Sequence, residues 1–134
     1  MYRSVGEHFV GIRNHRDLRV WHKAMDLMVG CYRLADALPR EVRLDLGRQL
    51  RRAAGSIPAN IAEGYGCASR RQYVHFISIA RASLFEVDTH LEAIRRLGYA
   101  EPSRAAQVFE LLDHTSRMLA LLMGKLPAHR DPRQ

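Results

Sequence analysis

The chain has 134 residues, a net charge of +7 and a sequence pI near 10.1. Apolar residues make up 47% and charged residues 26%, a balance that excludes a disordered or collagen-like chain, and the length suits a single core. All of the 21 basic residues except Lys23 and Lys125 are Arg, whose planar donor fork suits phosphate and carboxylate; the charge therefore favours an anionic partner, with genome composition as the other source of such a balance.

Residues 1–14 carry Gly6, Gly11 and Asn14 with no sustained period and are read as a flexible N-terminal arm. From Leu18 the residues Trp21, Met25, Met28, Tyr32 and Ala35 recur at steps of three and four, which predicts a first helix, capped by Asp17 and ended by Pro39. A second helix is expected to begin near Arg43 to Asp45. Its apolar face is Leu46, Leu50, Ala53, Ala54, Ile57 and Ile61, and Gly64 and Gly66 supply its stop. Pro58 lies inside it, lacks a backbone donor and presses on the carbonyl four residues earlier, so a bend is expected there.

Ser69 with Gln72 three residues on is a capping-box pattern that opens a third helix. Tyr73, Phe76, Ala80, Leu84, Val87, Leu91 and Ile94 form its stripe, and Gly98 follows as the C-terminal signal. Pro102 suits the first turn of a fourth helix carrying Val108, Leu112, Thr115, Leu119, Leu122 and Leu126. Residues 127–134 read as a polar C-terminal tail. Strand signals are absent, so the fold class is all-α: an antiparallel up-down-up-down four-helix bundle over residues 15–126.

Chemistry is harder to place. Bundle di-metal sites use Glu-x-x-His, which this chain lacks; Glu86 with His90 and Glu110 with His114 share helical faces but make no cage and read as surface or inter-subunit polar contacts. No nucleophile sits beside a base, no phosphate-cradling loop is present, and an enzyme is not expected. Cys31 and Cys67 suggest neither a disulfide framework nor a zinc site, and no apolar run reaches the length of a signal core or a membrane span, so a cytoplasmic protein is expected.

The basic clusters are the best binding candidates: Arg16, Arg19 and Lys23 on one face of the first helix, Arg48, Arg51 and Arg52 on the second, and Arg70 with Arg71 opening the third. Tyr65 and Tyr73 flank the last pair and are expected to stack on unpaired bases. The second helix also shows a polar stripe, Gln49, Arg52, Ser56, Asn60 and Glu63. Short polar groups among small residues want partners, which points to a contact between subunits.

SIPANIAEG at 56–64, with DLRVWHKAMDL at 17–27, IARASLFEVDTHL at 79–91 and RLGY at 96–99, resembles the bacterial four-helix-bundle family named for intervening sequences of large-subunit ribosomal RNA genes. The resemblance spans about residues 15–124 and falls on Arg52, Ala53, Ser56, Pro58, Ala59, Asn60, Ile61, Ala62, Glu63 and Gly64, with Trp21 in the first helix. Gly55 departs from it, since a bulkier residue is usual there, and is expected to loosen the helix before Pro58. The resemblance implies antiparallel bundles in cyclic pentamers with a central channel, and no enzymatic activity. A distantly similar group, the accessory proteins of diversity-generating retroelements, forms basic pentameric barrels that bind nucleic acid and a reverse transcriptase.

The reading that follows is a non-enzymatic homo-oligomer, a pentamer by resemblance, that binds RNA or single-stranded DNA through its arginines, needs no cofactor or metal and does not engage membranes. The alternative is an oligomeric scaffold that recruits a protein partner and binds no nucleic acid.

Overall fold

In the computed structural model, which describes residues 13–124, every regular element is helical. The expected tail, Leu126 and all but the last residues of the expected arm lie outside the described residues. A 3-10 turn, His15–Asp17, precedes helix α1, Arg19–Asp36. The Asn14 side chain accepts from the Arg16 backbone N–H at 2.8 Å while the Asp17 carboxylate accepts from the N–H groups of Arg13 and Asn14, a reciprocal capping box. Asp17 therefore closes the turn ahead of α1 and does not cap α1 itself, which Leu18 enters without a side-chain cap.

Helical backbone resumes at Arg40, earlier than the expected Arg43 to Asp45, because Pro39 with its fixed φ of −53° sits just ahead of the first turn. One α-turn, Arg40–Val42, and a π-helical stretch, Arg43–Gly47, lead directly into α2, Arg48–Tyr65. Pro58 is buried and α2 continues past it to Tyr65. Helix α3, Arg70–Arg96, is capped by the Ser69 side chain, which accepts from the Gln72 N–H at 3.2 Å. It ends in a Schellman motif: Tyr99 N–H bonds to Ile94 O and Gly98 N–H to Arg95 O, with Gly98 at φ +72°, a conformation that glycine adopts without a Cβ clash. Helix α4, Pro102–Gly124, begins on its proline.

Each helix packs on two neighbours, α1 on α2 and α4, and α3 on the same two, so the four close around one core. The apolar face of α2 is as expected, with Leu50, Ala53, Ala54, Ile57 and Ile61 buried and Leu46 at the margin. On α1 only the two ends of the expected face, Leu18 and Ala35, are buried. Val20, Ala24, Leu27, Cys31 and Leu34 point inward, whereas Trp21, Met25 and Met28 are half-buried and Tyr32 is exposed. Two apolar stripes lie side by side on α1, and the one with smaller side chains lets the helices approach more closely. On α3 Tyr73, Ala80, Leu84, Val87, Leu91 and Ile94 are buried as expected, with Ile77 buried in place of Phe76, which lies at the margin, while Ala105, Val108, Leu112, Thr115 and Leu119 carry α4.

Two buried hydroxyls tie the helices together. Thr115 on α4 donates to Leu111 O at 2.7 Å and reaches Lys23 O on α1 at 3.4 Å. Ser83 on α3 donates to the Ser56 hydroxyl on α2 at 2.8 Å.

Candidate functional site

The basic residues group differently in space than along the chain. The 3-10 turn packs on α2, and Asp17 lies near enough to Tyr65 that burial and that carboxylate together push the phenol's pKa up. The basic start of α1 therefore sits by the end of α2, from which the chain turns into Arg70 and Arg71. Arg48, Arg51 and Arg52 occupy the first turn of α2, and the thirteen residues from Arg52 to Tyr65 span about 20 Å at 1.5 Å per residue. The local excess of arginine in 47–71 is thus split into two places.

At the α1 start the cations are held in position. The Arg16 guanidinium lies 5.4 Å from the centroid of the half-buried Trp21 ring, and His15 and His22 meet that ring edge-on at 4.9 Å. His22 Nε2 lies 2.5 Å from Arg16 O, so this nitrogen carries the proton. Arg16 and Arg19 are exposed; Lys23 is half-buried, with Asp26 loosely placed at 3.9 Å. The neighbouring Asp17 is already engaged by two backbone N–H groups, which hold its carboxyl below the usual range.

At the α3 start, a hollow of about 330 Å³ is lined, among the described residues, by Arg70, Arg71, Val74 and His75. Arg70 Nε and Nη2 are shielded from solvent and have no hydrogen-bond partner among the described residues; Arg71 is exposed. Tyr65 and Tyr73 do not serve as stacking platforms, because both are buried, at 8% and 1% exposure. Aromatics at helical spacing near arginines carry no mark of their direction, and here they fill the α2–α3 seam.

The start of α2 differs in character. Arg51 pairs with Asp36 of α1 and stands 5.7 Å over the Tyr32 ring, so it joins two helices; Arg48 and Arg52 are exposed. In the polar stripe, Gln49 donates to Asp45 at 3.1 Å. Ser56 and Asn60 are half-buried and find their partners within the chain: Asn60 Nδ2 donates to Ser56 O at 2.7 Å and to its hydroxyl at 2.9 Å, and Ser83 completes the set. Gln49, Arg52 and Glu63 are the stripe's exposed members. Elsewhere Arg95 and Arg96 pair with Glu92, whose carboxyl they pull down to about 2, and Arg117 pairs with Asp113.

Glu86, Glu110 and His114 are exposed and His90 is half-buried; among the described residues no group of three or more His, Cys, Asp or Glu side chains is arranged to hold a metal. Among them, too, no helix is long and apolar enough to cross a membrane.

The family model described as 23S rRNA-intervening sequence protein matches residues 16–121. A solved structure from Bacteroides thetaiotaomicron VPI-5482, a protein of unknown function from the S23 ribosomal protein family, superposes with a TM-score of 0.73 at 22% identity, covering 78% of this chain and 97% of that one. At that identity the likeness speaks to the fold. No match was found among curated proteins.

Proposed function

This chain belongs to the 23S rRNA-intervening sequence protein family, and from that premise we propose that it is a non-enzymatic, cytoplasmic homo-oligomer, a pentamer, that binds RNA or single-stranded DNA through arginine. The observation that carries the reading is the basic hollow at the α3 start. Arg70 lines it beside exposed Arg71, and its Nε and Nη2, shielded from solvent and without a partner among the described residues, become the donors that a phosphate takes once the side chain swings outward. Arg16, Arg19 and Lys23 extend the same charge along α1. Contacts of this kind read the backbone rather than the bases, so affinity falls steeply with salt.

The bundle is taken as antiparallel, up-down-up-down. Cross-helix neighbours that run in opposite directions support this: Lys23 with Thr115 and Gly30 with Leu111 between α1 and α4, and Ser56 with Ser83 and Gly64 with Phe76 between α2 and α3.

Fluorescence anisotropy of a labelled single-stranded RNA and a labelled DNA, at low and moderate salt, tests the binding. Wild type is expected to bind at low salt, and Arg70→Glu with Arg71→Glu to weaken binding far more than Arg48→Glu with Arg52→Glu. No binding of either probe at low salt would sink the proposal. That outcome would favour the scaffold reading, which has its own support in Arg51, Arg95, Arg96 and Arg117, all neutralised within the chain.

A further inference from the structure

Helices α3 and α4 enclose an apolar groove of about 380 Å³, with Leu84, Leu112 and Leu119 as its buried floor and Phe85, 62% exposed, as its wall. At its rim Arg81 lies 5.8 Å over the Phe85 ring, and Asp88 stands further along the same helix. On the far side of the bundle α1 presents Val29, 43% exposed and opposite the helix's buried face, between Asp26 and Arg33. Asp88 and Arg33 enter no ion pair among the described residues, and the Lys23–Asp26 contact is long.

The spacings match. Arg81 and Asp88 are seven positions apart on α3, and Asp26 and Arg33 seven apart on α1; each interval is two turns, about 10.5 Å, and returns to the same face. The charge order is reversed between them, base then acid against acid then base. Between each pair stands an exposed apolar side chain, Phe85 on α3 and Val29 on α1.

We infer that the α3–α4 groove receives α1 of a second copy of this chain, running parallel to α3, with Val29 seated against Phe85 and the charge pairs Asp26–Arg81 and Arg33–Asp88 on either side. This rests on the oligomer reading and names its surfaces. Because α1 packs on α2 and α4 but is not a neighbour of α3, donor and acceptor lie on opposite sides of one bundle. The contact is head-to-tail, the type that closes rings and that no isolated two-fold pair satisfies. The chemistry is helix-in-groove recognition with charges fixing register.

The test is mass by light scattering at fixed concentration, with far-UV circular dichroism to show that each variant is folded. Arg33→Asp and Asp88→Arg are each expected to raise the subunit dissociation constant on the order of a hundredfold, by placing like charges together, and their combination to restore assembly. In a Cys67→Ser background, Val29→Cys with Phe85→Cys should give a disulfide-linked ladder on oxidation. Buried Cys31, its thiol pushed up to about 12, should contribute no background. An oligomer whose mass neither single substitution changes, a double variant that stays dissociated, or a missing ladder overturns this interface while leaving the oligomer reading intact. A wild-type monomer overturns both.

Discussion

Alanine at Gly55 and at Gly64, introduced one at a time, is expected to move stability in opposite directions. Both positions lie inside α2, where alanine is favoured over glycine by about 0.8–1.0 kcal/mol. At Gly55 the added methyl meets only Met28 Cε, at 3.7 Å, which is ordinary van der Waals contact with the tip of a flexible side chain. The propensity gain should survive there, stabilising by about 0.5–1 kcal/mol and raising Tm by roughly 2–6 °C. At Gly64 the methyl would stand 3.1 Å from Phe76 Cβ and 3.4 Å from both Tyr73 Cδ2 and Tyr73 O. Phe76 Cβ and the Tyr73 carbonyl move only with the α3 backbone, and Tyr73 is 1% exposed, so relief requires α2 and α3 to part. Overpacking of this kind costs about 1–3 kcal/mol, which outweighs the helix gain and leaves a net loss of about 1 kcal/mol. Thermal and urea unfolding by circular dichroism, at one fixed protein concentration because assembly would shift Tm, gives both signs. Gly64→Ala at or above wild-type stability, or Gly55→Ala below it, would refute the view that the α2–α3 approach is set at Gly64.

Ser83→Ala removes the donor to Ser56 but leaves Asn60 on that hydroxyl, so a loss of about 1 kcal/mol in urea unfolding is expected rather than the larger cost of an orphaned buried group. Asn14→Ala opens the capping box ahead of α1; hydrogen exchange at the Arg16 amide should speed up, with about 1 kcal/mol of local stability lost. Glu92 is held down to about 2 from 4.5 by Arg95 and Arg96, so its stabilising contribution is fully present above about 4.5 and disappears as pH falls through about 2. The Tm gap between wild type and Glu92→Gln should accordingly close across that window and shrink in high salt, since the pair is at the surface.

Element existence and type were legible because each long helix keeps its three-four spacing and its stops are local chemistry: Ser69 with Gln72, Gly98 at positive φ, Pro102 at a first turn. Phase was not legible on α1. Trp21, Met25, Met28 and Tyr32 repeat as regularly as Val20, Ala24, Leu27, Cys31 and Leu34, and periodicity fixes a spacing, not which of two adjacent stripes turns inward. The π-helical stretch at Arg43–Gly47 is a matter of backbone hydrogen bonding that residue types there do not announce. For the candidate site the residue class was readable and the grouping was not. Arg48, Arg51 and Arg52 look continuous with Arg70 and Arg71 in the chain, yet α2 carries them apart, and only the fold sets the α1 start beside the end of α2.

The segment from Ser56 to Gly64 now separates structure from function. Ser56 and Asn60 are satisfied by each other and by Ser83, Pro58 is buried, and Gly64 lets α3 close in, so most of the motif works in the seam between α2 and α3. Residues committed to that seam are unavailable to a ligand. The arginines divide in the same way: Arg51 joins α1 to α2 through Asp36 and is part of the frame, whereas among the described residues Arg16, placed on Trp21, enters no ion pair, and Arg70 keeps two nitrogens without an acceptor. A shielded cation that the fold does not neutralise, as at Arg70, carries an electrostatic cost unless an anion joins it, and an exposed one such as Arg16 is solvated and open to an anionic partner. Binding is therefore to be sought where α1 and α3 begin, and not along the motif between them.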